Sequence, residues 1–363
     1  MPNIISFSNL DINTPQSPEN VTLNAQDSFT LSMKKYAENH DLSFCTIYFN
    51  AQSITKQVKY NDIDYYLMKR NGFFSDMQKT LKLTKNTEIF VVNNIDQLSI
   101  ILTIINKLKR KKNILFIHNQ WQLNNFPIAF RYKILLFMSL VPNVIIFNTN
   151  NQIDTFPSHI RKKSIKFNWG IIPNMKPIKK TNTLNILYVG RIFPDKKIDE
   201  IARGLALSKN KKNIKFHIAG GVLDQDKKYL NYILSILKKN GIPFIHHGFV
   251  DESKLIELYN KSDIFINLRE NEGFGRVFIE AMNYYNIIIG KCNSFGPEEL
   301  ICDFKNGFLI KNHREIGDII DHLYENQNVL RKMQQYSNKF VRDRYSYDES
   351  YISFCKIDRF VRD

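Results

Sequence analysis

The chain has 363 residues, of which 43% are hydrophobic and 24% charged, and its formal net charge is +16 at pH 7. These proportions are ordinary for a globular protein and exclude a disordered, collagen-like or coiled-coil chain. The length predicts two domains, and the positive charge bears on binding partners rather than on the fold.

Two further observations bear on the cellular compartment that we expect and on whether the protein holds zinc. The longest apolar stretch, residues 134–147, is too short and too interrupted to span a bilayer, and the amino terminus lacks the pattern of a secretory signal. Cys45, Cys292, Cys302 and Cys355 lie far apart, with no pair at the spacing of a zinc site. We therefore expect a cytoplasmic protein with reduced thiols and no structural zinc.

Strands and helices alternate along the first half of the chain. Apolar runs predict strands at residues 3–8, 42–49, 88–92, 114–117 and 144–147. Helical periodicity predicts helices at residues 27–39, 74–83, 97–109 and 128–140. Such alternation is typical of a parallel sheet covered on both faces. Residues 9–26 are polar, which predicts a long loop.

A second series follows residues 174–183, a polar, basic and proline-marked segment that predicts a linker. Strands are predicted at residues 184–189, 214–219, 244–247, 264–267, 287–289 and 308–310. Helices are predicted at residues 199–208, 226–239 and 252–260, in a segment running through Glu280, and over most of residues 314–360. The pattern predicts an α/β protein with two doubly wound domains and a cleft between them, with ligands at the carboxyl ends of strands.

The stretch EGFGRVFIEAM carries two acidic residues, Glu272 and Glu280, eight positions apart. Gly273 and Gly275 flank Phe274 at a predicted strand-to-helix turn, where glycine lets backbone amides approach a ligand and the helix amino terminus favours an anion. Eight helical residues rise about 12 Å, enough to separate the sugar and the ribose of a curled nucleotide sugar. The alternative is two ordinary glutamates paired with lysines.

The segment GRIFPDKKID follows the first strand of the second domain. Arg191 offers a forked donor for phosphate, and Lys196 a mobile point charge. A solvated basic loop is the alternative, but the position at a strand's carboxyl end favours an anion site.

Residues 185–310 resemble glycosyltransferase family 4, whose fold is GT-B. The resemblance lies in Gly190-Arg191 with Lys196, in HGFVDESKLIELY, in the acid-Gly-Phe-Gly turn that ends in Glu-Ala, and in FGPEELI. One departure is Lys197, which stands where the family usually has glycine. The resemblance implies domains at residues 1–175 for the acceptor and 176–345 for the nucleotide sugar. It also implies that a helix at residues 346–363 returns to the first domain.

The resemblance also implies a role for each matched residue. Arg191 and Lys196 would hold the donor diphosphate, and the Gly273, Phe274 and Gly275 turn would contact the sugar and the β-phosphate. Glu272 would bond the sugar hydroxyls as a catalytic residue.

Other parts of the donor would be bound elsewhere in the same domain. Glu280 would accept hydrogen bonds from the ribose, and the base would lie against Phe249 and Val250. The donor pocket would be completed by Gly190, Gly296 and Glu299. In the first domain, His118 matches a catalytic histidine of the family, although a structural histidine at a strand end is the alternative.

The resemblance implies a retaining transfer of a hexose or N-acetylhexosamine without metal or cofactor, because cations and helix-terminal amides would stabilise the leaving diphosphate. UDP is the first expectation for the donor nucleotide, and GDP the second. The Asp62 and Asp64 pair and the Asp224 and Asp226 pair look like metal ligands, but we interpret both as chance.

The expected acceptor is a lipid-linked or lipopolysaccharide, O-antigen or capsule oligosaccharide of bacteria. Residues 97–112 couple an apolar helix face, expected to be core, to a basic end that suits an anionic membrane surface. We therefore expect a peripheral protein at the inner face of the cytoplasmic membrane. One alternative is a soluble GT-B enzyme acting on a small molecule or sugar phosphate. Another is a nucleic-acid binder, but no RNA-binding signature supports it and we expect no nucleic acid.

Overall fold

The computed structural model describes residues 3–8, 28–50, 56–60, 62–69, 71–93, 95–117, 127–175 and 183–362. The chain has two compact units: Met1–Gly170 together with Tyr347–Asp363, and Ile171–Ser346. Each unit is built around its own sheet and its own apolar core.

The first unit contains an eight-stranded sheet. Its strands are β1 (Ile4–Ser8), β2 (Phe44–Asn50), β3 (Lys56–Tyr60), β4 (Ile63–Lys69), β5 (Ile89–Asn93), β6 (Lys112–Ile117), β7 (Val144–Phe147) and β8 (Ser164–Lys166). In space they follow the order β3-β4-β2-β1-β5-β6-β7-β8, and every neighbouring pair is parallel except β3 with β4. The described helices before the second unit are α1 (Ser28–Asn39), α2 (Phe73–Leu83), α3 (Gln97–Leu108), α4 (Ile128–Leu140), α5 (Asn150–Asp154) and α6 (Ser158–Arg161).

The hairpin of β3 and β4 corrects the sequence analysis, which places no strand between residues 50 and 73. Asp62 makes the turn with a left-handed φ of 59°, while Asp64 lies inside β4 rather than in a loop. The signal is weak because β3 is an edge strand whose sequence, KQVKY, is polar, as is typical of edges.

The second unit contains a six-stranded, entirely parallel sheet in the order β11-β10-β9-β12-β13-β14. Its strands are β9 (Leu184–Val189), β10 (Ile214–Ala219), β11 (Phe244–Gly248), β12 (Ile264–Asn267), β13 (Ile287–Lys291) and β14 (Gly307–Ile310). Its helices are α7 (Ile198–Ala206), α8 (Lys227–Lys239), α9 (Glu252–Lys261), α10 (Arg276–Asn283), α11 (Phe295–Leu300), α12 (Glu315–Glu325) and α13 (Gln327–Arg344).

Apolar periodicity explains why these helices form and how they pack. In α7, the residues Ile198, Ile201, Ala202 and Leu205 repeat at helical spacing, and all four are buried in the core of the second unit. The predicted α/β class, with two doubly wound and mainly parallel sheets, is confirmed.

The last helix, α14 (Tyr347–Arg362), belongs to the first unit. It packs on α1, where the Phe354 ring lies 5.6 Å from Phe29 and 5.5 Å from Tyr36, centroid to centroid. Among the described residues, no helix is both long enough and apolar enough to cross a membrane.

Candidate active site

The predicted site residues of the second unit lie at the carboxyl edge of its sheet. Strand β9 pairs with β10 on one side and with β12 on the other, so the strand order reverses beside β9. Loops diverge at such a switch point and leave a crevice for a ligand. The loops that follow β9 and β12 carry the two predicted motifs.

Gly190 directly follows β9, at a close contact between loops. Its amide donates to the Ala219 carbonyl at 3.0 Å, and a Cβ on Gly220 would lie 1.9 Å from the Gly190 carbonyl oxygen. Position 220 therefore accepts only glycine without movement of the backbone, and Gly190 contacts the loop after β10 through its main chain.

Arg191 and Lys196 share one aromatic neighbour. The Arg191 guanidinium carbon lies 4.3 Å from the centroid of the Phe193 ring, and the Lys196 ammonium lies 5.8 Å from it. Both distances are in the range of cation–π attraction. The ring thus keeps the two predicted phosphate ligands near each other.

Lys197, the departure from the family pattern, has a left-handed φ of 54°. It stands between the 3-10 turn Pro194–Lys196 and α7. A glycine suits this conformation best, which gives a physical reason for the family's usual residue. Here lysine adopts it, and its ammonium lies 3.7 Å from the Glu200 carboxylate.

Arg269 is a site residue that the sequence analysis missed. Its Nε donates to Asp195 at 2.9 Å, and its Nη1 lies 3.5 Å from the Glu272 carboxylate. The arginine therefore links the loop after β9 to the loop after β12. The signal that could have found it is its position two residues beyond β12 at the switch point.

The charges in this cluster act on Lys196. Burial lowers the pKa of the Lys196 ammonium, while the nearby Glu272 carboxylate raises it and the Arg269 guanidinium lowers it. A diphosphate at this position would compensate the cost of burying the ammonium, because an opposite charge favours the protonated form. The arrangement is suited to an anion.

Glu272 is held by its backbone. Its amide donates to Ser294 Oγ at 3.1 Å, and its carbonyl accepts from the Gly296 amide at 3.0 Å. A Cβ on Gly296 would lie 2.2 Å from the Phe274 carbonyl oxygen. Gly296 therefore lies directly against the backbone of the glycine turn and supports it.

The turn itself has the predicted form. Gly275, with a φ of 74°, precedes α10, and a Cβ there would come within 2.6 Å of the Phe278 ring. The Phe274 side chain is buried and packs 5.7 Å from the Tyr345 ring, so only its backbone can serve a ligand. The turn leads into the positive end of α10, a favourable place for a phosphate.

Glu280 lies on α10 beyond the turn. The Tyr259 hydroxyl donates to its Oε2 at 3.0 Å, and burial, followed by the Glu280 charge, raises the pKa of that hydroxyl. Tyr259 also stacks on Tyr284, with nearly parallel rings. The Tyr259 hydroxyl holds the Glu280 carboxylate in a fixed position.

The remaining predicted donor residues stand at the ends of neighbouring elements. Phe249, just beyond β11, is 80% exposed and Val250 is half-buried. Glu299 is half-buried on α11. An exposed aromatic ring at the carboxyl edge offers a stacking surface for a base.

Other sequence predictions concern residues outside this cluster. His118 and the loop at residues 9–26 lie outside the described residues. Asp224 pairs with Lys227 at 2.7 Å, and Asp62 lies 3.6 Å from Lys59. In the part of the chain that the structure describes, no three metal-ligating side chains cluster.

Comparison with known proteins identifies the same region. Residues 174–340 match the family described as glycosyl transferases group 1. This match lies entirely inside the second unit and contains the site described above.

Two curated relatives come from Staphylococcus aureus. A poly(ribitol-phosphate) alpha-N-acetylglucosaminyltransferase is 30% identical over 146 residues, which cover 39% of this chain and 28% of that protein. The capsular polysaccharide biosynthesis glycosyltransferase CapM is 25% identical over 162 residues, covering 44% and 41%. The chain thus aligns with well under half the length of these relatives.

Solved structures match almost the whole chain. Anabaena Alr3699/HepE, in complex with UDP and glucose, has a TM-score of 0.75 at 14% identity and covers 98% of this chain and 99% of that chain. The lipopolysaccharide outer core galactosyltransferase WaaB has a TM-score of 0.69 at 16% identity, covering 98% and 99%. At such identity the likeness shows the fold, two Rossmann-like domains of the GT-B type.

Proposed function

We propose that the protein is a glycosyltransferase that moves a sugar from a nucleoside diphosphate to a glycan acceptor. One observation carries the proposal. At the switch point, Arg191, Lys196 and Arg269 gather with Glu272, beside the glycine turn that starts α10. The cations and the backbone amides suit a diphosphate, and the carboxylate suits the hydroxyls of a sugar joined to it.

The chemistry would be charge stabilisation and positioning. As the bond between the sugar and the diphosphate breaks, negative charge grows on the β-phosphate. Arg191, Lys196 and the amides of the glycine turn would stabilise that charge without reorganisation. Glu272, oriented by Arg269, would accept hydrogen bonds from the sugar hydroxyls, and Glu280 from the ribose.

We also propose the stereochemistry of the reaction, its independence of metal, the transferred sugar and the donor nucleotide. The acceptor hydroxyl would attack on the face from which the diphosphate departs, which gives retention, and the leaving phosphate could take up the proton. No metal is needed in this scheme. The transferred group would be a hexose or N-acetylhexosamine. UDP is the favoured nucleotide, since HepE, with the same fold, was solved with UDP.

The proposed acceptor is a bacterial surface glycan, supported by the names of the relatives, which include a capsular polysaccharide enzyme. We further propose a lipid-linked form of it and a peripheral position at the inner face of the cytoplasmic membrane. A small soluble acceptor is the second candidate, because a sucrose-phosphate synthase has the same fold.

The test is nucleotide release from UDP-, GDP- and ADP-sugars with a lipid-linked acceptor extract. Arg191→Ala and Glu280→Ala should each lower the rate at least about tenfold, because each removes a hydrogen bond to a charged group. Lys238→Ala, an exposed lysine on α8, serves as the matched control and should leave the rate unchanged. Release that is equal in all four proteins would refute the proposal.

A further inference from the structure

We propose that the outer face of α3 and α4 in the first unit docks onto an anionic phospholipid bilayer, with α4 lying flat in the interface. This α3–α4 face consists of the exposed residues Ile104, Lys107, Leu108, Lys109, Arg110, Ile128, Tyr132, Lys133, Leu136 and Leu140. The inference deepens the proposed function and rests on it for the presence of a lipid-linked acceptor.

Helix α4 exposes an apolar stripe. Ile128, Tyr132, Leu136 and Leu140 follow one another at four-residue spacing, so they lie along one side of the helix. They are 67%, 69%, 60% and 64% exposed. The opposite side of α4 is buried in the core through Ile134, Phe137 and Met138. A continuous row of large apolar side chains on a surface marks an interaction site.

Helix α3 lies on the same side of the sheet. Strands β5, β6 and β7 are successive neighbours, and right-handed crossovers place their two connecting helices side by side on one face. The buried residues of α3, Leu98 and Leu102, enter the same core cluster as those of α4. The outward residues of α3 include Leu108, which is 79% exposed.

Contacts at the carboxyl ends of the two helices agree with this arrangement. Lys163 donates to the carbonyl oxygens of Ser139 and Pro142, each at 2.8 Å, at the end of α4. Burial, and then the charge of Lys107 on α3, lowers the pKa of Lys163 to about 8. Lys107 is therefore near enough to Lys163, which lies at the end of α4, for the two charges to interact.

The charge of the first unit is segregated along the chain. Residues 1–96 carry 9 Lys and Arg against 10 Asp and Glu. Residues 97–170 carry 11 Lys and Arg and one acidic residue, Asp154. No acidic residue occurs between Asp96 and Asp154, the segment that contains both helices. The positive excess of residues 1–170 therefore lies entirely within residues 97–170, the segment that contains both helices of the α3–α4 face.

An anionic bilayer is the partner that suits both the positive charge and the apolar stripe of the α3–α4 face. Anionic headgroups attract the lysines and arginines, and the hydrocarbon boundary accepts the leucine, isoleucine and tyrosine side chains. A nucleic acid would satisfy the charges but leave the apolar stripe in water. A second copy of this chain would bring an equally positive face against the first, which like-charge repulsion disfavours.

Co-sedimentation of the full chain with vesicles tests the proposal. Wild-type protein should bind vesicles that contain phosphatidylglycerol at low salt, and far less to phosphatidylcholine alone. Leu136→Ser with Leu140→Ser should weaken binding at least about tenfold, as should Lys109→Glu with Arg110→Glu. Matched controls in the second unit are Leu207→Ser, at a 57% exposed leucine, and Lys238→Glu with Lys239→Glu on α8, and both should bind as wild type does.

A spectroscopic readout separates insertion from charge attraction alone. In Leu140→Trp, the tryptophan emission should shift to the blue on mixing with anionic vesicles, and brominated lipids should quench it. No shift, or vesicle binding that ignores the two leucine substitutions, would overturn the proposal. So would binding to an oligonucleotide in place of vesicles, or self-association that the leucine substitutions abolish.

Failure here is distinguishable from failure of the proposed transferase. Slow hydrolysis of the nucleotide sugar, followed without vesicles, reports the site in the second unit and should be equal in wild type and the α3–α4 face variants. An active enzyme that ignores vesicles would refute the docking face alone. Vesicle binding without any nucleotide turnover would refute the transferase alone.

Discussion

At the scale of single residues, the tightest constraint in the site is the meeting of the loops after β9 and β10. The Gly220 amide donates to the Gly248 carbonyl at 2.8 Å, which also ties in the loop after β11. Three loops at the carboxyl edge are thereby held together by their backbones. This contact fixes where the chain leaves β9, and therefore where the cationic residues Arg191 and Lys196 lie.

Gly220→Ala should therefore disturb the site. The added methyl would overlap the Gly190 carbonyl oxygen, and overpacking of this kind costs about 1–3 kcal/mol. We expect the free energy of unfolding, measured by urea denaturation, to fall by about that amount.

The adjacent Gly221 provides the control, because a Cβ there would meet nothing within 4 Å. Gly221→Ala should leave the stability within about 0.5 kcal/mol of wild type. Equal stability of the two alanine variants would show that the loops do not approach as described.

At the scale of elements, the second sheet carries a histidine pair between β10 and β11, in which His217 is buried and His247 half-buried. Nδ1 of His217 lies 3.1 Å from Nε2 of His247, and Nε2 of His217 lies 3.3 Å from Asn185 Oδ1. Burial, and then the His247 charge, lowers the pKa of His217 to about 4. The lysines Lys215, Lys254 and Lys261 lower it further.

This pair predicts a pH-dependent stability. Between pH 6.5, the ordinary value, and about pH 4, the unfolded chain binds a proton at this imidazole that the folded chain does not. The free energy of unfolding should therefore be highest above this window and fall as the pH decreases through it, with a slope of at most about 1.4 kcal/mol per pH unit.

Urea denaturation across that pH range measures the slope. His217→Gln should flatten it, whereas His322→Gln, at an exposed position on α12, should leave it unchanged. A slope that is the same in wild type and in His217→Gln would contradict the assignment to this pair.

Elements also show what sequence could predict. Helices with a regular apolar face, such as α7, and continuously apolar strands, such as β7, were predictable because burial imposes their periodicity. The hairpin of β3 and β4 was not, because an edge strand need not be apolar. The acidic and glycine residues of the site follow a recognisable spacing, but Arg269 does not. Its role depends on Asp195, which is 74 positions away in sequence.

At the scale of the whole molecule, we assign a different role to each of the two units, and each unit has its own core. The second unit contains the residues that we propose for binding a nucleoside diphosphate, from Gly190 to Glu280. The first unit carries the segregated positive charge and the exposed stripe of α4. The role of His118 in the first unit stays a prediction.

The most direct test of the central claim is calorimetric titration of UDP, with GDP in parallel, into wild type and into Arg191→Ala with Lys196→Ala. We predict that the wild type binds one of the two diphosphates, and that the double variant binds it at least about 100-fold more weakly, because two charged hydrogen-bond donors are lost. Lys238→Ala with Lys239→Ala, which removes the same charge on α8, should bind like wild type. Equal affinity in the double variant and wild type, or no binding of either diphosphate, would contradict the claim that this switch point is a donor site.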